Sequence, residues 1–146
     1  MAVGEDKLPQ LLPVSGVRLA TVSAGIKTPG RKDLVLMELA AGSRCAGVFT
    51  RNAFCAAPVT IAKEHLVLCA NKPAYLLTNT GNANAGTGEQ GMADARACCD
   101  AVAEAAGTEA SRVLPFSTGV IGEPLAVELI RAALPAAVAG LAEDAW

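Results

Sequence analysis

Apolar residues follow two rhythms along this chain. In the first half they come in short runs bounded by turn residues. Residues 16–26 are rich in Val, Thr, Ile and Leu and predict a strand, broken by Thr28-Pro29-Gly30. Residues 34–39 are almost wholly apolar and end ahead of the Gly42-Ser43 turn. Residues 46–50, 58–61, 66–68 and 75–78 predict further strands. After Gly86 the period changes. Met92, Ala95, Cys99, Val102, Ala103 and Ala106 recur at helical spacing, while Asp94, Arg96, Asp100 and Glu104 fall mostly on other faces. Thr87 and Gln90 suit a capping box ahead of this helix, and Gly107 suits its C-cap. Residues 112–116 predict a short strand and residues 117–122 a Gly-containing turn. Pro124 then opens a helix over 125–134 that Pro135 ends. Strands followed by helix, strand and helix predict an α/β fold, a mixed sheet layered with helices. No repeat, low-complexity tract or linker divides it, so residues 1–146 read as one domain.

Composition narrows the function classes. At 146 residues the chain has room for one core, and 52% hydrophobic against 18% charged excludes a disordered segment. Twelve basic and 14 acidic residues, with no basic block, leave nothing to neutralise phosphates, so no nucleic-acid partner is expected. The apolar excess is largely Ala, which lets elements approach closely but buries little area, and such a core gains from a partner. Residues 1–10 carry Glu5, Asp6 and Lys7 and no apolar stretch of signal-peptide length. No window approaches a membrane span, and a cytoplasmic protein is expected. The five cysteines (Cys45, Cys55, Cys69, Cys98 and Cys99) include no C-x-x-C pair, and they read as reduced thiols acting as small buried hydrophobes. With a single His, no metal site is expected.

Four constellations bear on chemistry. Gly86 to Gly91 matches G-x-G-x-x-G with Glu109 beyond it, but a dinucleotide fingerprint must follow its strand at once, and residues 79–85 intervene. A Walker A reading fails because Thr87 stands where Lys is needed. His65, beside the polar Lys63 and Glu64, reads as an ordinary surface residue in a polar bend between strands. No Gly-flanked Ser or Cys presents itself as its nucleophile.

Two segments remain. Residues 79–88 pack amides and glycines between a strand and a helix start, and read either as a structurally locked loop or as the lining of a polar pocket. Ser117-Thr118-Gly119-Val120-Ile121-Gly122 sits at a strand-to-helix junction. There a Thr hydroxyl beside a Gly amide supplies two donors to one oxyanion, with help from a helix dipole. Thr-Gly at a turn is also common on structural grounds alone.

Three blocks together resemble a known family. They are Ala46-Gly47-Val48-Phe49-Thr50-Arg51-Asn52 with Ala56-Ala57-Pro58-Val59, then Thr80-Gly81-Asn82-Ala83-Asn84-Ala85 with Thr87-Gly88, then residues 117–122. In this order, from about Gly16 to the end, the chain resembles the amino-terminal (α) part of the bifunctional ornithine acetyltransferase/N-acetylglutamate synthase family of arginine biosynthesis. The resemblance implies a precursor that cuts itself before a Thr, freeing a β chain whose N-terminal Thr is the nucleophile, in a cytoplasmic α2β2 assembly. It implies transfer of acetyl from N2-acetylornithine to glutamate, with acetyl-CoA as a second donor in many members and no cofactor. It assigns Thr118 and Gly119 to the oxyanion hole. Family α chains continue past the position of Trp146 to a Thr-rich cut, so no nucleophile, general base or substrate anchor is assigned here. The alternatives are an N-terminal-nucleophile aminopeptidase or amidohydrolase subunit, with water as acceptor, and a purely structural partner subunit.

Overall fold

The computed structural model describes residues 11–146. The expectation about a signal segment in residues 1–10 lies outside them. Strands β1 (Val17–Val22) and β2 (Leu34–Leu39) form a hairpin, and β3 (Tyr75–Asn82) adds to β2. Both pairings are antiparallel. The fourth strand, β4 (Val113–Val120), pairs parallel with β3, giving the order β1-β2-β3-β4. A parallel pair needs a crossover, and helix α2 (Gly88–Ala106) with a 3-10 turn (Ala110–Arg112) provides it. Helix α1 (Ala57–Leu68) packs on β4 and α2, and α3 (Val127–Ala139) packs on α2, β1 and β2. The sheet is mixed and layered with helices, as the pattern predicts.

Side chains alternate across the sheet, so its two faces differ. Leu34, Leu36, Leu77 and Val113 are buried against Ile61 of α1, Val102 of α2, and Ile130 and Leu134 of α3. The other face is less covered. Val35, Thr78 and Phe116 stand in register there, the first two half-buried and Phe116 43% exposed. Residues 44–56 run beside it without regular structure, with Val48 and Phe54 in solvent. An apolar groove of about 290 Å³ opens between Phe49, Pro58 and Phe116.

Several elements differ from the sequence reading. Residues 58–61 and 66–68 are not strands but the two ends of α1. Pro58 sits in its first turn, where a missing N–H costs nothing. Ile61, Ala62, His65 and Leu66 face inward, which leaves Val67 and Leu68 exposed. Residues 46–50 join no strand. Both β3 and β4 run further than predicted, because each supplies the other's ladder, and Ser117 to Val120 are strand rather than turn. The capping box does not form: Thr87 Oγ1 donates to Asn84 Oδ1 at 2.8 Å, and Gln90 Nε2 to Asp94 at 2.8 Å. Gly107 does cap α2 in the left-handed conformation, at φ +66°. Helix α3 starts at Val127 and runs through Pro135, since the buried stripe Ile130, Leu134 and Ala137 continues past it. Among the cysteines, Cys98 and Cys99 are the buried hydrophobes expected, and burial pushes both thiols up to about 12. Cys55 departs from that reading and is exposed, while Cys45 and Cys69 are half-buried, and all five are free thiols.

A charged cluster spans the first three strands. Arg18 pairs with Glu38 across β1 and β2, and the Tyr75 hydroxyl on β3 donates to Glu38 Oε1 at 2.9 Å. The Arg18 hydrogen bond, followed by that of Tyr75, holds the Glu38 carboxyl below its ordinary range against the cost of its burial. Glu38 therefore stabilises the fold above the unfolded carboxylate pKa, near 4.3, and loses that contribution as pH falls through its lower folded value. Glu38→Gln is expected to lower the urea midpoint at pH 7 and to match the unsubstituted chain once pH has fallen below the lowered folded pKa of Glu38. A gap that does not narrow at all as pH falls below the unfolded carboxylate pKa would assign the loss to packing instead.

Candidate functional site

The carboxyl ends of β3 and β4 lie side by side, with Asn79 opposite Ser117, Thr80 opposite Thr118 and Gly81 opposite Gly119. The ladder breaks register at Gly81 and Asn82. Gly119 has φ +139°, and a Cβ there would lie 2.3 Å from the Gly81 carbonyl carbon and 2.5 Å from the Asn82 nitrogen. Only glycine satisfies both the conformation and the space. Gly81, at φ +97°, is similarly closed, because a Cβ would meet Lys27 Cβ at 2.9 Å.

Residues 79–88 hold this geometry. Ser117 Oγ donates to Asn79 Oδ1 at 2.6 Å, and Asn79 Nδ2 donates to the Asn82 carbonyl at 2.9 Å. Asn82 Nδ2 donates to the Glu123 and Pro124 carbonyls at 3.1 and 3.0 Å, and its Oδ1 accepts the Asn84 amide at 2.7 Å. Asn84 Nδ2 donates to the Gly91 carbonyl at 2.8 Å, reaching the first turn of α2. The Ala83 and Gly122 amides complete the stitching, to Val120 and Ala85 oxygens, both at 2.8 Å. Asn79, Asn82 and Asn84 are all buried, and no buried side-chain N or O among the described residues lacks a partner. Of the two readings of this segment, the locked loop describes these three side chains, while Thr80 and Gly81 face a cleft.

That cleft has a volume of about 490 Å³ and opens between β3, β4 and the β1–β2 connection. Thr80, Thr118 and Gly119 line one side and Lys27 and Arg31 the other. The connection is folded by Asp33, which is buried. Its carboxylate accepts the Ala24 and Ile26 amides, each at 2.7 Å, and its carbonyl accepts the Thr80 amide at 2.8 Å. Thr118 and Gly119 thus both line this cleft at the strand ends. Helix α3 begins only at Val127, so the helix dipole expected directly after the pair drops out.

His65 is neither on the surface nor in a bend. It lies buried on α1, its Nδ1 donating to the Val113 carbonyl at 2.8 Å, and so braces α1 against β4. Lys27, Arg31 and Asp33 were not singled out by sequence. The only signal was a charged stretch between two strands, which ordinarily marks a solvated turn.

The model of the ArgJ family matches residues 18–146. Among curated relatives, the arginine biosynthesis bifunctional protein ArgJ of Methylococcus capsulatus is 60% identical over 137 residues, covering 94% of this chain and 33% of that protein. Its counterpart in Pseudomonas syringae pv. tomato is 60% identical over 146 residues, covering 100% of this chain and 35% of that protein. The chain thus spans about a third of the length of these relatives. Among solved structures, ornithine acetyltransferase from Mycobacterium tuberculosis, complexed with ornithine, matches with a TM-score of 0.83 at 37% identity, over 90% of this chain and 69% of that one. The bifunctional protein from Bacillus halodurans matches with a TM-score of 0.77 at 30% identity, over 86% and 68%. The chain belongs to the ArgJ family.

Proposed function

We propose that this chain is the α portion of an acetyltransferase of arginine biosynthesis, moving acetyl from N2-acetylornithine to glutamate. It forms one domain, completed by the β chain of the same self-cleaving precursor in an α2β2 assembly in the cytoplasm. The half-covered sheet face beside residues 44–56 is the surface such a chain would cover. The observation that carries the reading is the backbone at Gly119, which only glycine can adopt, beside Thr118 in the wall of a cleft.

In this reading the β chain's N-terminal Thr hydroxyl attacks the acetyl carbonyl of N2-acetylornithine. As the carbon becomes tetrahedral, negative charge gathers on its oxygen. The Thr118 hydroxyl and the Gly119 N–H donate to that oxygen, and do so more strongly than to the planar amide, which is what lowers the barrier. Ornithine leaves, and the glutamate amine attacks the acetyl ester through a second tetrahedral state on the same two donors. No cofactor enters, and acetyl-CoA is an alternative donor to the same Thr.

The full-length precursor, incubated with N2-acetylornithine and glutamate, is expected to form N-acetylglutamate, with intact masses showing a second chain that begins with Thr. Release of free acetate without N-acetylglutamate would overturn transfer in favour of hydrolysis.

A further inference from the structure

We infer that Cys45 and Cys69 form a thiol pair that a small-molecule disulfide converts into an intramolecular disulfide, locking residues 44–55 onto the end of α1. Two observations place the residues together. The Cys45 amide donates at 2.9 Å to the carbonyl of Asn71, two residues past Cys69. Ala70 and Asn71 turn the chain back to meet it, through left-handed backbone at φ +51° and +60°. Ala62, Leu66 and Cys69 stand at i, i+4 and i+7 along α1 and its C-cap, and Cys45 packs against the cluster that Ala62 and Leu66 form with Leu114. The two cysteines therefore share one flank of α1. Burial, and after it the neighbouring Cys69 thiol, pushes the Cys45 thiol up, the second effect being that of a sulfur close by.

The other thiols are excluded by position. Cys55 precedes α1 and Cys69 follows it, and a helix of 12 residues separates them by about 18 Å, far beyond the span of a disulfide. Cys55 also lines a different cavity, with Gly86, Thr87 and Met92 at the start of α2. Cys98 and Cys99 are buried with thiols pushed up to about 12, so neither supplies the thiolate that exchange needs. Cys45 and Cys69 are only half-buried, with Arg44, Ala46, Leu68 and Ala70 exposed beside them. Cys69 Sγ is held by a weak hydrogen bond to the Leu66 carbonyl at 3.6 Å, which exchange breaks at little cost.

In the exchange, one protein thiolate attacks a sulfur of the small disulfide, forming a mixed disulfide and expelling one small thiol. The second protein thiolate attacks the protein sulfur of that mixed disulfide and expels the other. The protein loses two S–H bonds and gains one S–S bond, and the small disulfide leaves as two thiols with both electrons and both protons. Among the described residues, the Cys45 amide makes the one backbone hydrogen bond between residues 44–55 and the rest of the chain. The disulfide makes that single exchangeable tie covalent. Val48, Phe49 and Thr50 of the same segment line the apolar groove beside Pro58 and Phe116, so the lock also fixes one wall of that groove.

The test incubates the full-length protein with glutathione disulfide, alkylates it without reduction and digests it with trypsin. Cleavage after Arg44, Arg51, Lys63 and Arg96 puts Cys45, Cys55 and Cys69 on separate peptides, so a bond from Cys45 to Cys69 joins two of them. That joined peptide is expected as the main product, with loss of both alkylatable thiols, and dithiothreitol restores them. Cys55→Ser leaves the bridge unchanged, while Cys45→Ser leaves Cys69 carrying glutathione. Amide hydrogen exchange across residues 46–54 is expected to slow in the bridged protein. A bridge from either cysteine to Cys55 or to any other thiol overturns the pairing. So does glutathione retained on Cys45 and Cys69 without a bridge, or alkylation of both throughout. Unchanged hydrogen exchange in the bridged protein overturns the lock. Should Cys45→Ser fail to fold, the peptide map of the unsubstituted protein decides alone.

Discussion

Gly119→Ala is expected to lower kcat for acetyl transfer in the assembled enzyme by more than about 10³, beyond the usual loss of one oxyanion donor. The added methyl would sit 2.3 Å from the Gly81 carbonyl carbon and 2.5 Å from the Asn82 nitrogen, both backbone atoms with no rotamer to move away. Alanine also resists φ near +139°. The end of β4 must therefore part from β3, carrying the Gly119 amide and the Thr118 hydroxyl out of line together. Thr118→Ala removes one donor and leaves the strands in place, so the expected loss is about 10²–10³ in kcat with KM little changed. Thr118→Ser restores the hydroxyl and much of the rate. Steady-state kinetics on the three variants, with intact masses to confirm processing, make the check. Near-unchanged turnover in a correctly processed Thr118→Ala enzyme would sink the oxyanion assignment.

That pair was readable in the sequence as a motif, whereas its setting was not. A hydroxyl next to a glycine amide is a local pattern, but its place on a strand depends on parallel pairing with β3, some forty residues earlier along the chain. Strands β1 and β2 were legible because their punctuation and their apolar runs are both local, whereas their pairing was not. Helix α1 was hidden by its own composition. Pro58-Val59-Thr60-Ile61 has the β-branched look of a strand, and what makes it helical is that Ile61, Ala62, His65 and Leu66 meet the core together. His65 was misread for the same reason, since its neighbour Glu64 faces outward to Arg96 while the ring turns in to Val113. Lys27 and Arg31 reach the cleft only because Asp33 folds their loop, and nothing in their spacing announces that.

Asn82→Ala is expected to destabilise the chain by about 1–3 kcal/mol, because it leaves the buried Asn84 amide and the part-buried Glu123 and Pro124 carbonyls without their partner. Asn82 is 4% exposed, and its amide holds the Glu123 and Pro124 carbonyls while its oxygen accepts the Asn84 amide. A buried polar group left without a partner costs about 1–3 kcal/mol, and water entering the gap recovers part of that. Urea unfolding at constant m-value reads the loss, and a variant with an unchanged midpoint would show that the network is ornamental. Asn82→Asp separates the two halves of the role. It keeps the acceptor for Asn84 but aims a carboxylate at two carbonyl oxygens, so at pH 7 it should be at least as damaging as Ala. The folded state then favours the neutral carboxyl and raises its pKa, so the deficit narrows as pH falls and the restored O–H donates to one carbonyl again. In the assembled enzyme both variants should also lower kcat more than they raise KM. Asn82 ties the end of β3 to the chain just after β4, and with that tie gone a glycine at φ +139° has fewer contacts to hold its amide on one target.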